Sequence, residues 1–326
     1  MNPETVDYHQ TAIELLKLVQ VDYRRTQKEL QEVSLHLAQR ENVAASKLNL
    51  AINALDQRSG TFDTAVQRSV PTLEGYCLGR FQVRVNCKKI EHWRSNKSKC
   101  ILKHLIAEGG RPVPKDILIE AIWPDCEPSQ GNNNLKAAVR ALRLMLNHDN
   151  GTSEGSPIIL FKDGNYMINP DVDLWVDTEQ FEHHCEAGRR FEVDGKLIEA
   201  IIEHKAAEAL YRGDYLEDDS YDEWTYLRRE ALKDEYLYVL GKLADYSMRA
   251  KDYMACIGYC QKILVKDCCR EDTYGRLMCC YNRLGQRSRA IDWYRLCEMT
   301  IRRELDVNPD HELVALYQKL VTGEYI

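Results

Sequence analysis

The amino-acid sequence predicts a mainly α chain: a long helix or coiled coil, then a small α+β module, then an all-α array of repeats. Three observations point there. Residues 3–58 contain no glycine and no proline after Pro3, and helix formers dominate them. Residues 73–170 mix period-two and helical patterning and close on a hairpin signal. Beyond Asp173 the apolar spacing is helical throughout, and one stretch recurs 34 residues later. A chain of 326 residues is long enough for about two domains. With 44% hydrophobic and 29% charged residues it can bury a core rather than stay disordered.

In residues 1–58, Leu16, Tyr23, Leu30, Leu37, Ala44 and Ala51 recur every seven positions, with Val19, Thr26, Val33, Arg40, Lys47 and Ala54 three further on. The seam is good from Leu16 to Leu37 and degrades afterwards. A coiled coil of two or three heptads or a helical hairpin fits this pattern; so does an amphipathic helix lying on its own chain. Residues 59–72, with Gly60 and Pro71, read as a linker.

The module of residues 73–170 begins with a strand in which Phe81, Val83 and Val85 alternate with Arg80, Gln82 and Arg84. Asn86 turns the chain into a short strand at Lys89, Ile90 and Glu91. Ser95 is a suitable N-cap for a helix with Ile101, Leu102, Leu105 and Ile106 inward, stopped by Gly109 and Gly110. Pro114 opens a second helix, with Ile117, Leu118 and Ile122 inward as far as Trp123, and Pro124 ends it. Residues 125–132 form a polar loop. A third helix follows at about 133–146, burying Leu135, Val139, Leu142 and Leu146. Its other face carries Asn133, Lys136, Ala137, Arg140 and Arg143, with no acidic residue. Last, residues 158–161 and 166–168 flank Lys162-Asp163-Gly164-Asn165, which has the chemistry of a tight hairpin turn. Strands, three helices and a terminal hairpin are the parts of a winged helix-turn-helix.

Helices are then expected at about 177–190, 195–211, 222–250, 252–265, 271–284, 286–303 and 310–321. Residues 250–257 align with 284–291, so that Cys256 matches Ala290, Cys260 matches Tyr294 and Leu243 matches Leu277. The offset of 34 is the tetratricopeptide (TPR) period. Small residues fall where helices cross, and Gly285 falls in the turn between helices. An earlier pair places Ala200-Ile201 at 56 residues before Cys256, so two or three repeats stacked in a short α-solenoid are expected over residues 171–326.

The net charge of −7 argues at first against a nucleic-acid partner. It is unevenly distributed. Residues 1–72 carry 8 Lys and Arg against 9 Asp and Glu, net −1; residues 73–170 carry 14 against 10, net +4; residues 171–326 carry 22 against 32, net −10. A basic reader joined to an acidic interaction array has this pattern, and so does chance variation of surface charge. No apolar run approaches the ~18 residues of a membrane span, and the opening MNPETVDYHQ lacks the features of an export signal. A cytoplasmic location is therefore expected, nucleoid-associated when the chain holds DNA.

Twelve cysteines without an export signal read as reduced thiols. Those between Cys256 and Cys280 show no pair of C-x2-C motifs, so thiols filling repeat cores are expected rather than a metal site. The acidic run Glu217, Asp218, Asp219, Asp222 and Glu223 reads as a solvated loop or as charge at a helix N-terminus. Trp123, Trp175, Trp224 and Trp293 occupy core-like positions. There is no phosphate-binding glycine loop, nucleophile elbow, His/Glu metal motif or kinase signature. No enzymatic activity and no cofactor are expected.

Several stretches together resemble the Streptomyces antibiotic regulatory protein (SARP) and AfsR-like transcriptional activators, which pair an OmpR-type winged helix with a bacterial transcriptional activation domain of TPR-like repeats. These are LGRFQVRVN (78–86), WRSNKSKCILKHLIAEGGRPVPKDILIEAIWPD (93–125), NNLKAAVRALRLML (133–146), GNYMINP (164–170), LWVDTEQFE (174–182), ALYRGDYLEDDSYDEWTYLRREALKDEYL (209–237) and RRELDVNPDHELVALYQKL (302–320). The likeness spans about 73–321 and leaves out the N-terminal helix.

The resemblance implies a recognition helix at 133–146 in the major groove of promoter DNA, with Asn134, Ala137 and Ala141 facing base edges. Asn133, Lys136, Arg140 and Arg143 would lie nearer phosphates. Lys162, Gly164 and Asn165 would form the wing, and residues 125–132 the segment that meets RNA polymerase. Ala141 stands where related helices often carry Arg, which removes a strong guanine contact. For Arg94, Lys97 and Lys99, ahead of or early in the first helix, phosphate contact and plain solvation are both open. Double-stranded promoter DNA, RNA polymerase holoenzyme, a second copy of the chain and a protein on the repeats are the implied partners. A protein-interaction scaffold whose winged helix has lost DNA reading is the alternative.

Overall fold

The computed structural model describes residues 71–148, 157–219 and 223–324. The heptad segment and most of the predicted linker lie outside the described residues. Strands β1 (Thr72–Tyr76), β2 (Gln82–Val85) and β3 (Lys88–Lys89) form an antiparallel ladder, with Leu73 opposite Val85 and Gly75 opposite Val83. Leu73, Val83 and Val85 are fully buried on the face that meets α1 (Asn96–Ala107). Gly75 leaves the room that Ile106 occupies, since a Cβ there would stand 2.9 Å from Ile106 Cγ2. Ser95 caps α1 as predicted, its hydroxyl accepting the Ser98 N–H at 3.4 Å.

A three-stranded sheet is made of β4 (Val113–Pro114), β6 (Asn165–Ile168) and β5 (Ile159–Lys162), in that order. Asp163 (φ 51°) and Gly164 (φ 81°) are both left-handed, the backbone of the tight hairpin turn that the Asp-Gly pair predicts. In sequence α1 precedes β4, and α2 (Lys115–Ile122) and α3 (Pro128–His148) lie between β4 and β5, the three helices packing on one another.

The structure corrects several local expectations. Pro114 belongs to β4 and precedes α2. Ile119 faces inward, whereas Ile117 is exposed. Helix α3 begins at Pro128, so most of the predicted loop at 125–132 is helical. Proline fits the first turn of a helix because no N–H is needed there. Gly131 is retained inside α3 because a Cβ would meet Ile119 Cγ2 at 2.6 Å. Two strands lack a local alternating signal, β1 and β7 (Asp173–Val176). They pair with each other in parallel, Leu73 opposite Leu174, at the edge of the first sheet.

The repeats are hairpins: α4 (Asp177–Val193) with α5 (Leu197–Leu210), α6 (Glu223–Arg249) with α7 (Tyr253–Lys266), and α8 (Glu271–Arg283) with α9 (Arg287–Leu305). Each hairpin packs on the next, and α10 (His311–Thr322) closes the stack through Leu313 and Leu320. Helices α7 and α9 start 34 residues apart, at Tyr253 and Arg287. The aligned Cys256 and Ala290, and likewise Leu243 and Leu277, are buried to 1% exposure or less. Cys260, Cys280 and Cys297 are also fully buried, as core-filling thiols would be.

The predicted division between residues 170 and 171 does not coincide with a break in packing. One apolar core runs from Leu73 to Ile263, through the sheet, α1–α3 and the first repeats; a second gathers around α8–α10. Strand β7 belongs to the first sheet by its hydrogen bonds, although in sequence it adjoins the repeats.

Candidate nucleic-acid interface

Helix α3 turns Leu135, Ala138, Val139, Leu142 and Leu146 inward. The buried Ser98 hydroxyl of α1 donates to the Ala138 carbonyl at 2.9 Å, which fixes the helix on its scaffold. Outward it presents Asn133, Lys136, Ala137 and Arg140, all exposed, followed by Leu144. These positions follow the i, i+3, i+4, i+7 spacing of one helix face, and the face carries two cations and no acid.

Of the three residues expected at base edges, only Ala137 is exposed. Ala141 is half-buried, and so is Asn134, whose amide points at the Cys126 sulfur 3.9 Å away. Arg143 sits on the flank of α3 beside β5, where its Nε–H donates to the Ile159 carbonyl at 3.0 Å. It anchors the hairpin instead of reaching outward. The hairpin is also fastened to α2, since the Lys115 N–H donates to the Gly164 carbonyl at 3.1 Å. Lys162 at its tip is exposed, with Gly164 and Asn165 half-buried next to it.

The cations early in the module divide in the same way. Arg94 is exposed. Lys97 donates to the Ile122 carbonyl at 2.6 Å, satisfying the C-terminus of α2, and lies over the Trp123 ring. Lys99 pairs with Asp218 at 3.5 Å. Lys103, which sequence reasoning passed over, is 3% exposed and pairs with Asp219; both lysines lie over the Phe81 ring. The acidic run is therefore not simply solvated. Asp218 and Asp219, in the short 3-10 turn Glu217–Asp219, are counter-charges to Lys99 and Lys103 of α1. Glu223 stands in the first turn of α6 as helix N-terminal charge, and Asp222 lies outside the described residues. No local spacing signals a pair of residues 116 positions apart.

The same region clips the module of residues 73–170 to the repeats. The Asp177 carboxylate, 2% exposed, accepts the N–H groups of Cys77 at 2.7 Å and Leu78 at 2.9 Å. Burial raises its pKa to about 6, against the lowering effect of those hydrogen bonds. The Leu216 N–H donates to the Cys77 carbonyl, and Gly79 exchanges backbone bonds with Asp214 and Glu217. Buried Arg229 of α6 donates to the carbonyls of Tyr215 and Asp219 at 2.9 and 3.0 Å. Trp224, placed in the core by sequence, is instead 37% exposed and stacks on His104 of α1 at 4.0 Å.

Among the described residues no group of three or more His, Cys, Asp or Glu side chains could hold a metal ion. No helix of the described residues is long and apolar enough to cross a membrane.

Residues 176–321, nearly the whole helical array, match the family model of the bacterial transcriptional activator domain, and this part of the chain is a domain of that family. The resemblance to SARP-like regulators carried by the sequence is thereby upheld. The chain is 26% identical over 225 residues to the transcriptional regulatory protein MoaR1 of Mycobacterium tuberculosis, covering 69% of this chain and 72% of that protein. It is 23% identical over 227 residues to the transcriptional regulatory protein EmbR of the same organism, and spans 57% of EmbR's length. The solved structure of M. tuberculosis EmbR in complex with a low-affinity phosphopeptide superposes with a TM-score of 0.62 at 21% identity, over 78% of this chain and 66% of that one. That likeness is one of fold.

Proposed function

We propose that the chain is a sequence-specific DNA-binding transcriptional regulator, an activator. Residues 73–170, completed by β7, act as an OmpR-type winged helix with α3 in the major groove and the hairpin tip at Lys162 beside it. The activator-domain repeats contact RNA polymerase or another protein partner. The observation that carries this reading is the exposed Asn133–Lys136–Ala137–Arg140 stripe on a helix whose other face is locked in the core. Amide and guanidinium groups at that spacing suit base edges and phosphates. The regulatory relatives support it.

With Arg143 bonded to the Ile159 carbonyl, Lys136 and Arg140 are the exposed cations of the α3 stripe. One copy then holds DNA weakly, and a dimer on repeated half-sites or RNA polymerase supplies the rest. The direct test is a mobility-shift titration of the full chain on its own upstream region. Arg140→Ala is expected to weaken binding by about 5- to 150-fold, the equivalent of ~1–3 kcal/mol for a base contact, or to lower the salt slope by about 1 if it meets a phosphate. Affinity and salt slope both unchanged would overturn the assignment of α3. The scaffold reading is favoured by the small number of outward cations on α3. It predicts no preference of the full chain for its upstream region over random DNA.

A further inference from the structure

The turn between α7 and α8 carries two adjacent cysteines, Cys268 and Cys269, whose sulfurs lie 3.9 Å apart. Cys268 is exposed and Cys269 half-buried. The turn that presents them is held on both sides. The Asp267 N–H donates to the Ile263 carbonyl at 2.8 Å, ending α7. The Cys269 N–H donates to Asp267 Oδ1 at 3.2 Å, and the Tyr274 hydroxyl donates to the Cys268 carbonyl at 3.0 Å. The other adjacent pair, Cys279 and Cys280, lies within α8 with Cys280 fully buried, and exposed Cys87 has no thiol neighbour in sequence.

Two bonding modes compete at such a pair. Adjacent Cα atoms are about 3.8 Å apart across a trans peptide, short of the roughly 4.4–6.8 Å that disulfides span. Closing the pair on itself therefore strains the turn. A soft centre bound at about 2.3 Å per sulfur holds two thiolates roughly 3–4 Å apart, which is the spacing found. The site offers two sulfurs and no set of three ligands. It is thus matched to a centre that brings its own third substituent.

We propose that Cys268 and Cys269 form a vicinal-dithiol site that chelates a monosubstituted trivalent arsenical. The reaction is a condensation without change of oxidation state. The two S–H bonds and the arsenic–oxygen bond break, two arsenic–sulfur bonds form, and both thiol protons leave with the oxygen as one water.

The test uses the reduced full chain and phenylarsine oxide at one equivalent, read by intact-mass spectrometry under native conditions. One adduct per chain is expected, with the mass of the reagent less one water, removed by excess 2,3-dimercaptopropanol and retained in excess glutathione. Cys268→Ser and Cys269→Ser should each lower retention at least tenfold, while Cys87→Ser leaves it unchanged. Absence of an adduct in the wild type, survival in either Ser variant, or loss in Cys87→Ser overturns the proposal.

Discussion

Asp177 shows how one carboxylate joins two elements distant in sequence. Its two oxygens accept N–H groups just after β1, and its own residue starts α4. Asparagine keeps the shape, but its amide nitrogen cannot accept, whereas both carboxyl oxygens accept even when one is protonated, so an amide N–H group would face a backbone N–H. Asp177→Asn should cost about 1–3 kcal/mol, the penalty of a buried donor left unmet, measured as a lower urea midpoint at pH 4. The pH dependence follows from the raised pKa of about 6. The folded state holds the proton more tightly than the unfolded one, so this group's contribution is complete near pH 4 and below. It is lost as pH climbs through about 6, and the deficit of Asp177→Asn should narrow over that interval. Glu192 behaves in the opposite sense. Burial would raise its pKa, but hydrogen bonds from Tyr246, Lys242, Tyr238 and His204 outweigh that and hold it near 2. Its contribution is present above the ordinary carboxylate range and is lost as pH falls through about 2.

Helix α3 illustrates a conflict between propensity and packing. Gly131 costs the helix about 1 kcal/mol relative to alanine, yet the space beside it is already taken by Ile119. Displacing a core side chain by overpacking costs ~1–3 kcal/mol, so packing outweighs propensity or cancels it. Gly131→Ala is expected to lower the thermal midpoint of the full chain; a raised midpoint would show that Ile119 can rotate away. The hairpin belongs to the same assembly. Arg143 ties β5 to α3, and Lys115 ties the turn to α2, so the orientation of the hairpin relative to the exposed stripe is set by side-chain and backbone bonds.

On the scale of residues 71–326, the α+β module and the repeats share a sheet edge, a core and a hydrogen-bonded clip. Residues 73–170 alone would expose the edge of β1 that β7 covers, and would lose the backbone partners supplied by Asp214, Leu216 and Glu217. That fragment is expected to show no cooperative thermal transition by circular dichroism, whereas a chain of residues 71–326 melts cooperatively. A cooperative melt of the short fragment would show that the sheet stands without its parallel edge. The joint also makes the repeats part of the support of α3. Asp218 and Asp219 hold α1 through Lys99 and Lys103, and α1 holds α3 through Ser98.

Local patterning settled the elements whose cause is local. The Ser95 cap, the Asp-Gly hairpin, the apolar stripe of α1, the helices of the array and their 34-residue period all depend on residues within a turn or a repeat of one another. The exposed stripe of α3 was legible for the same reason, since the apolar face identifies the opposite one. What the short-range pattern left undecided were long-range pairings: β7 beside β1, Asp177 beneath Cys77 and Leu78, the burial of Lys103, and the bonds of Lys97 and Arg143 to the Ile122 and Ile159 carbonyls. A lysine or arginine has the same sequence signature whether it faces solvent, caps a neighbouring helix or neutralises an acid 116 residues away. Only the packing of the two halves against each other distinguishes these fates, because the partners become neighbours through the fold and not through the chain.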